Sequence, residues 1–200
     1  MRELRDIKIQ GDPMRFRKNL ERLGQIFAYE LSKTLKYKPK EIKTPLGTKK
    51  VMVPADQLVI ATILRAGSPL HHGLLTYFDH AENAFISAYR KHTNEIDFEV
   101  EVEYLASPSI TDKVLILSDP MLATGQSMVL SYMAMLKRGK PKHIHVVSVI
   151  ASEEGVNYAR KHLPENTTFW IGDVDAELND KKYIVPGLGD AGDLAYGTKL

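Results

Sequence analysis

The chain has 200 residues, 44% of them hydrophobic, enough for one domain with a substantial core. It has no cysteine, which excludes disulfides, zinc ribbons and thiol catalysis, and it shows neither a run of about 18 apolar residues nor a signal-peptide pattern, so a cytoplasmic protein with no membrane partner is expected. Its net charge of +2 is uneven, residues 1–50 carrying 14 Lys/Arg against 6 Asp/Glu and residues 51–200 carrying 13 against 19.

Asp12-Pro13 predicts an N-cap followed by proline in the first turn of a helix that runs to about Tyr37. Phe16, Leu20, Leu23, Phe27, Leu31 and Leu35 recur at three- and four-residue steps along it and form one apolar stripe. Glu41–Thr44 and Lys49–Val53 flank Pro45-Leu46-Gly47, the pattern of a hairpin. Leu58–Leu64 is a continuous apolar strand, Ser68-Pro69 is expected to cap a helix to about Phe78, and Ala84–Tyr89 is a further strand. From Asp97 to Tyr104 the pattern alternates, with Phe98, Val100, Val102 and Tyr104 on one face and Glu99, Glu101 and Glu103 on the other; this predicts a one-sided, antiparallel element. Val114–Leu117 and Ile144–Ile150 are core strands, Ser127–Lys137 and Glu153–His162 helices, and Thr168–Ile171 the last strand, with Gly139 and Pro141 ending the first of these helices. Strands alternating with helices imply right-handed crossovers and a mostly parallel sheet covered on both faces. The first helix, the ribbon and the C-terminal tail fall outside that alternation and are expected to form a hood over the sheet's carboxyl edge, where ligands bind in open α/β sheets and where Arg65, Asp119 and Asp173 are expected just after strands.

The most informative stretch is Val114-Leu115-Ile116-Leu117-Ser118-Asp119-Pro120-Met121-Leu122-Ala123-Thr124-Gly125-Gln126-Ser127. A buried strand stops at an acid, a loop of small residues follows, and a helix starts. Exposed backbone N–H groups and the positive end of the helix dipole converge on such a loop, which makes it an anion site. Phosphate is the expected guest, with hydroxyl donors from Thr124 and Ser127 and close backbone approach at Gly125, although similar loops in doubly wound proteins bind nothing. A Walker P-loop is excluded by the missing Gly-Lys-Ser/Thr. Asp119 would repel a phosphate in direct contact, so its place is beside a neighbouring hydroxyl or in a metal shell, and a sugar phosphate suits the pair.

Arg65, in Leu64-Arg65-Ala66-Gly67, follows a strand where Gly67 permits an unusual turn; it reads either as a bidentate phosphate ligand or as a surface arginine. Gly187, Gly189 and Gly192 imply a tail loop folded around something small, or a structural turn. The adjacent His71 and His72 cannot share a helix face as metal ligands, and His143 and His145 share a strand face without a third ligand, so no metal site is expected. Trp170 and Met121, Met128, Met133 and Met135 are read as packing. The basic first quarter is read as a solvated face or one side of a subunit contact in preference to a nucleic-acid surface.

The run Asp-Pro-Met-Leu-Ala-Thr-Gly-x-Ser resembles the phosphoribosyl-diphosphate loop of uracil phosphoribosyltransferases, and Tyr183-Ile184-Val185-Pro186-Gly187-Leu188-Gly189-Asp190-Ala191-Gly192-Asp193 resembles the same family's uracil loop. The similarity extends from Arg5-Asp6 to Gly197-Thr198. It implies the type I phosphoribosyltransferase fold, one domain over residues 1–200, with hood elements at about 1–57, 94–106 and 174–200. It implies Mg²⁺-dependent transfer from 5-phospho-α-D-ribose 1-diphosphate to uracil, giving UMP and diphosphate, with the metal held mainly by substrate oxygens and water. Carried over by motif, the donor would contact Arg65, Arg90, Asp190 and the loop Asp119, Pro120, Met121, Leu122, Ala123, Thr124, Gly125, Gln126 and Ser127; Asp119, Arg65 and Arg90 would be catalytic, and Ile184, Gly189, Asp190 and Ala191 would surround uracil. Two departures stand out: Gln126 replaces a glycine common in the family, and Lys91-His92 follow Arg90 where many relatives have acids. A homodimer or higher homo-oligomer is expected, and a GTP effector, as in some relatives, is left open. The rival readings are a pyrimidine-nucleotide-sensing RNA-binding regulator on the same fold and a transferase for another nucleobase.

Overall fold

The computed structural model describes residues 1–92 and 98–198, and side chains for residues 1–87 and 103–198. In chain order the elements are α1 (Arg2–Arg5), α2 (Pro13–Ser32), β1 (Tyr37–Thr44), β2 (Gly47–Pro54), β3 (Leu58–Leu64), α3 (Gly67–Tyr77), β4 (Glu82–His92), β5 (Phe98–Ala106), β6 (Val114–Ser118), β7 (Met121–Leu122), α4 (Gln126–Met135), β8 (His143–Ser152), α5 (Glu153–His162), β9 (Thr168–Asp175), β10 (Glu177–Leu178), β11 (Ile184–Val185) and α6 (Ala191–Tyr196). The central sheet runs β5-β4-β3-β6-β8-β9, with the short β7 rejoining β8 beyond the end of β6. Every pairing in it is parallel except β4 with β5.

Two apolar layers follow from the parallel strands, whose side chains alternate between faces. On one face Ile60, Ile116, Val147 and Val149 pack against Phe16, Leu20, Leu31, Leu70 and Leu74 of α2 and α3. On the other, Val59, Ala61, Leu115, Leu117 and Val146 meet Met128, Val129 and Tyr132 of α4 and Val156 and Ala159 of α5. Helices α2 and α3 cross closely through two glycines: a Cβ on Gly24 would lie 2.4 Å from the Leu70 carbonyl oxygen, and one on Gly73 would lie 2.0 Å from that of Glu21. As expected, Asp12 caps α2, its Oδ1 accepting from the Met14 and Arg15 N–H groups at 3.0 Å.

Several boundaries differ from expectation. Helix α2 stops at Ser32, five residues short of Tyr37, because hydroxyls take over the last turn: Ser32 Oγ donates to the Tyr29 carbonyl and Thr34 Oγ1 to that of Leu31. Tyr37 instead opens β1, so the hairpin with β2 is longer than Glu41–Thr44 and Lys49–Val53, and all of β1 is exposed. The four-residue α1 was not foreseen. Ser68 does not cap α3; the cap is Ala66, and Ser68 Oγ donates to the Arg65 carbonyl from inside the first turn. Strand β5 is the expected antiparallel edge, but a bulge shifts its register between Ser87 and Ala88 of β4, Tyr104 opposing Ser87 and Val102 opposing Ala88, and Tyr104 is exposed. Asp173 lies within β9, opposite Ile150, rather than after it. Met133 faces outward, while Met128 and Met135 are buried. No helix among the described residues is long and apolar enough to cross a membrane.

Candidate active site

Strands β3 and β6 are neighbours in register, Thr62 opposite Ser118, so Leu64-Arg65 and Asp119-Pro120 leave the carboxyl edge side by side. Hydrogen bonds lock that edge: Thr62 Oγ1 donates to the Ser118 carbonyl at 3.3 Å and Ser118 Oγ to that of Ala61 at 3.1 Å. The turn is unusual at its Leu64–Arg65 peptide, which is cis, and Gly67 itself serves close packing. A Cβ on it would sit 2.1 Å from Thr62 Oγ1, and its φ is not positive.

Beyond β6 the chain turns at Asp119. Its Oδ1 accepts from the Met121 N–H at 3.3 Å, and its carbonyl accepts from Ser148 Oγ at 2.7 Å. The loop is then clamped from β8 and α5, since Ser152 Oγ donates to the Ala123 carbonyl at 2.6 Å while accepting from Gly155 N–H to cap α5. Gly155 is required for this approach, because a Cβ there would lie 2.2 Å from the Ala123 carbonyl oxygen. Gly125 turns left-handed at φ +77°, and a Cβ on it would lie 2.7 Å from the Gly155 carbonyl oxygen. That fixed geometry delivers the chain into α4 with no side-chain cap from Gly125, and Thr124 Oγ1 accepts only the Gln126 N–H, at a long 3.4 Å. The first N–H groups and the positive dipole end of α4 therefore lie where this loop ends, the arrangement that holds an oxyanion. The positive φ falls at Gly125 and not at Gln126, which is the ordinary first residue of α4. Glutamine in place of the family's glycine at position 126 therefore carries no backbone strain.

Arg65 faces the tail. Its Nη2 donates to the Gly197 carbonyl at 2.9 Å and lies 3.4 Å from Asp193 Oδ1, while its buried Nε has no partner among the described residues. The tail is a small hairpin of β10 and β11, a turn through Pro186–Gly189, and α6. Ile184, Leu188 and Ala191 are buried in the first core layer, so these residues leave backbone groups, not side chains, to line the loop. Asp190 caps α6, with Oδ1 accepting from Gly192 and Asp193 N–H at 2.8 and 3.0 Å. Arg90 pairs with Val100 on the part of the β4–β5 ribbon that continues past the Leu64 end of β3; its side chain, like those of Lys91 and His92, lies outside the described ones.

The structure thus brings Arg65, the Asp119–Ser127 loop and the Asp190 loop to one edge of the sheet. A second network was not anticipated: Arg5 Nη1 donates to Asp175 Oδ2 at 2.7 Å and to the Gly187 carbonyl at 2.9 Å. Hydrogen bonding from Asp175, ahead of the opposing effect of burial, raises the Arg5 guanidinium above its ordinary value. Nothing in the spacing of Arg5 and Asp175, 170 residues apart, signals this pair; Ser152 before Glu153-Glu154 was readable as a helix cap, but not as the clamp on Ala123. His71 is buried and His72 exposed, and the rings of His143 and His145 meet edge to face with centroids 4.5 Å apart; among the described residues no group of three or more His, Cys, Asp or Glu gathers as a metal site.

A family model described as uracil phosphoribosyltransferase matches residues 1–198. A protein of that name from Porphyromonas gingivalis is 58% identical over 198 residues, covering 99% of this chain and 92% of its own. Another from Thermococcus gammatolerans is 40% identical over 201 residues, covering 99% and 88%. Among solved structures, a protein from Aquifex aeolicus superposes with a TM-score of 0.84 at 34% identity, over 92% of this chain and 86% of its own. A hypoxanthine phosphoribosyltransferase from Staphylococcus aureus shares the fold, with a TM-score of 0.55 at 17% identity over 81% and 76%.

Proposed function

The chain belongs to the uracil phosphoribosyltransferase family, and from that premise we propose how its own residues carry out the transfer. The enzyme is a pentosyltransferase that joins uracil to the phosphoribosyl group of 5-phospho-α-D-ribose 1-diphosphate. The C1–oxygen bond to diphosphate breaks, a C1–nitrogen bond to uracil forms, and the base gives up its N–H proton. The observation that carries the assignment of roles is the N-terminus of α4, which its N-cap Gly125 leaves without a side-chain cap, following the Asp119–Gly125 turn on the sheet edge that Arg65 shares.

In this reading the N–H groups and hydroxyls of Thr124–Ser127 clamp the 5-phosphate, and Asp119 holds the ribose hydroxyls. Its negative charge favours the cationic, oxocarbenium-like sugar that glycosyl transfer passes through. Arg65 and Arg90 bind the diphosphate as it departs. Magnesium, brought in with the donor, would neutralise the leaving group; the carboxylates of Asp119 and Asp190 are the hard oxygen donors the site offers, with substrate oxygens and water filling the rest. The tail loop aims uracil through backbone groups around Ile184, Gly189, Asp190 and Ala191. The same reading carries a cytoplasmic homo-oligomer, in which the basic first quarter meets the more acidic remainder of a second copy, and GTP as an effector to be titrated.

The test is nucleotide formation from the donor, Mg²⁺ and each nucleobase in turn. Uracil offers N3–H as donor and O4 as acceptor, and cytosine reverses both. Each buried group left facing a like partner costs roughly 1–3 kcal/mol, so cytosine should be turned over about 10² to 10⁴ times more slowly. Comparable rates for the two bases would sink the substrate and the backbone readout together.

A further inference from the structure

We propose that Arg5 and Asp175 are positioning residues for the base, which they orient by holding the backbone N–H and the backbone carbonyl of one tail-loop residue, Gly187. The inference rests on the reading that this loop receives uracil. Asp175 closes β9 at the carboxyl edge of the sheet, and Arg5 is the last residue of α1. The guanidinium straddles the carboxylate, Nη1 to Oδ2 at 2.7 Å and Nη2 to Oδ1 at 3.1 Å, with Nη2 also reaching Asp173 Oδ2 at 2.9 Å. From this fork Nη1 donates to the Gly187 carbonyl at 2.9 Å, and Asp175 Oδ2 accepts the Gly187 N–H at 3.1 Å. Both backbone groups of Gly187 are therefore fixed by one ion pair whose side chains are only 20% and 10% exposed. With its amide oriented to satisfy both acceptors, Gln10 adds donations to the Leu4 and Leu188 carbonyls at 2.9 Å, so the N-terminal segment holds two successive carbonyls of the loop.

The consequence for the base follows from chain geometry. Gly187 is left-handed at φ +57°, and a Cβ there would lie 2.1 Å from the Ile184 carbonyl oxygen, so the turn has little freedom to move as a block. Two residues separate it from Asp190, which is itself fixed as the cap of α6. With both ends pinned, the peptides of Leu188 and Gly189 have their directions set, and Leu188 is anchored by its buried side chain. A base read by peptide N–H and C=O groups needs those directions set before it arrives. Arg5 and Asp175 are placed to set them through Gly187 without themselves touching the base.

Steady-state kinetics of Arg5→Gln, Arg5→Lys, Asp175→Asn and the double variant Arg5→Gln/Asp175→Asn test this. Arg5→Gln should raise the KM for uracil on the order of tenfold to a hundredfold, as misplacement at a distance from the chemistry does, with the KM for the donor and kcat at saturating uracil near wild type. Lysine keeps the charge but not the fork, so Arg5→Lys should recover part of the uracil affinity. The double variant should be no worse than the poorer single one, because the pair acts as a unit. If Arg5→Gln fails to fold, Arg5→Lys and Asp175→Asn carry the same split between the two KM values. An unchanged uracil KM in folded variants, or a loss confined to kcat and melting temperature, would overturn the proposal. Wild-type enzyme that makes no UMP would instead fail the reading on which it rests.

Discussion

Two backbone hydrogen bonds fix Asp119 at its turn whatever side chain it carries. Its carbonyl takes Ser148 Oγ and its amide donates to the Val147 carbonyl at 3.1 Å, and both bonds survive any change of side chain. Its Oδ1 accepts from Met121 N–H, a bond that an amide oxygen can also accept. Asp119→Asn keeps these bonds and the side chain's size, and should therefore fold. It should lose turnover by about 10² to 10³, the scale seen when one electrostatic partner of a transition state is removed. Parallel measurement of kcat and melting temperature separates the outcomes: near-normal turnover at unchanged stability would remove Asp119 from the mechanism. Gly125 shows how finely the neighbouring loop is specified, since both its positive φ and the carbonyl of Gly155 beside it exclude a side chain.

The long helices carry information of another kind, because α2 and α3 approach each other backbone to backbone at Gly24 and Gly73. Gly73→Ala would drive a methyl group into the Glu21 carbonyl, and neither backbone can yield without parting the helices. Overpacking of this kind costs about 1–3 kcal/mol, and it should appear as a lower urea midpoint with an unchanged slope; a midpoint equal to wild type would show that the crossing is looser than described. No sequence pattern gave notice of that crossing. Where the strands and helices lie was legible, since continuous apolar runs and an Asp-Pro start depend on near neighbours: Glu153–His162 was placed residue for residue. The Asp119–Ser127 loop and the Tyr183–Asp193 tail loop were picked out by motif, and the structure places both at the sheet edge that Arg65 shares. Unreadable were features decided by distant partners or local hydroxyls: the stop of α2 at Ser32, the bulge in β5, the hold of Ser152 on Ala123, and the Arg5–Asp175 pair. The periodicity of α2 continued to Leu35, but periodicity records which face is apolar and not where the backbone finds other partners.

Acid tolerance belongs to the molecule as a whole, because it sums over groups that folding buries uncharged. His145 is the clearest of them. It is 3% exposed, and burial first, then neighbouring His143, hold its imidazole down to about 4. Its Nδ1 accepts from the Trp170 indole N–H at 3.2 Å, and a proton on that nitrogen would set donor against donor. Burial also lowers His71 and His143. An unfolded chain takes up a proton on such a ring at the ordinary 6.5, whereas the folded chain does so at His145 only near 4. Between those values the unfolded state binds more protons, so stability falls as pH falls. The contribution of His145 is whole above about pH 6.5 and drains away toward about pH 4, a loss of about 3 kcal/mol if the full difference is realised. Urea unfolding at steps from pH 7.5 to 4.5 should show this acid limb. His145→Phe keeps a ring in the same layer without a titrating nitrogen; it should start less stable at pH 7.5, having lost the Trp170 bond, and then fall less steeply. A variant whose stability declines in parallel with the wild type across that window would show that the limb has another origin.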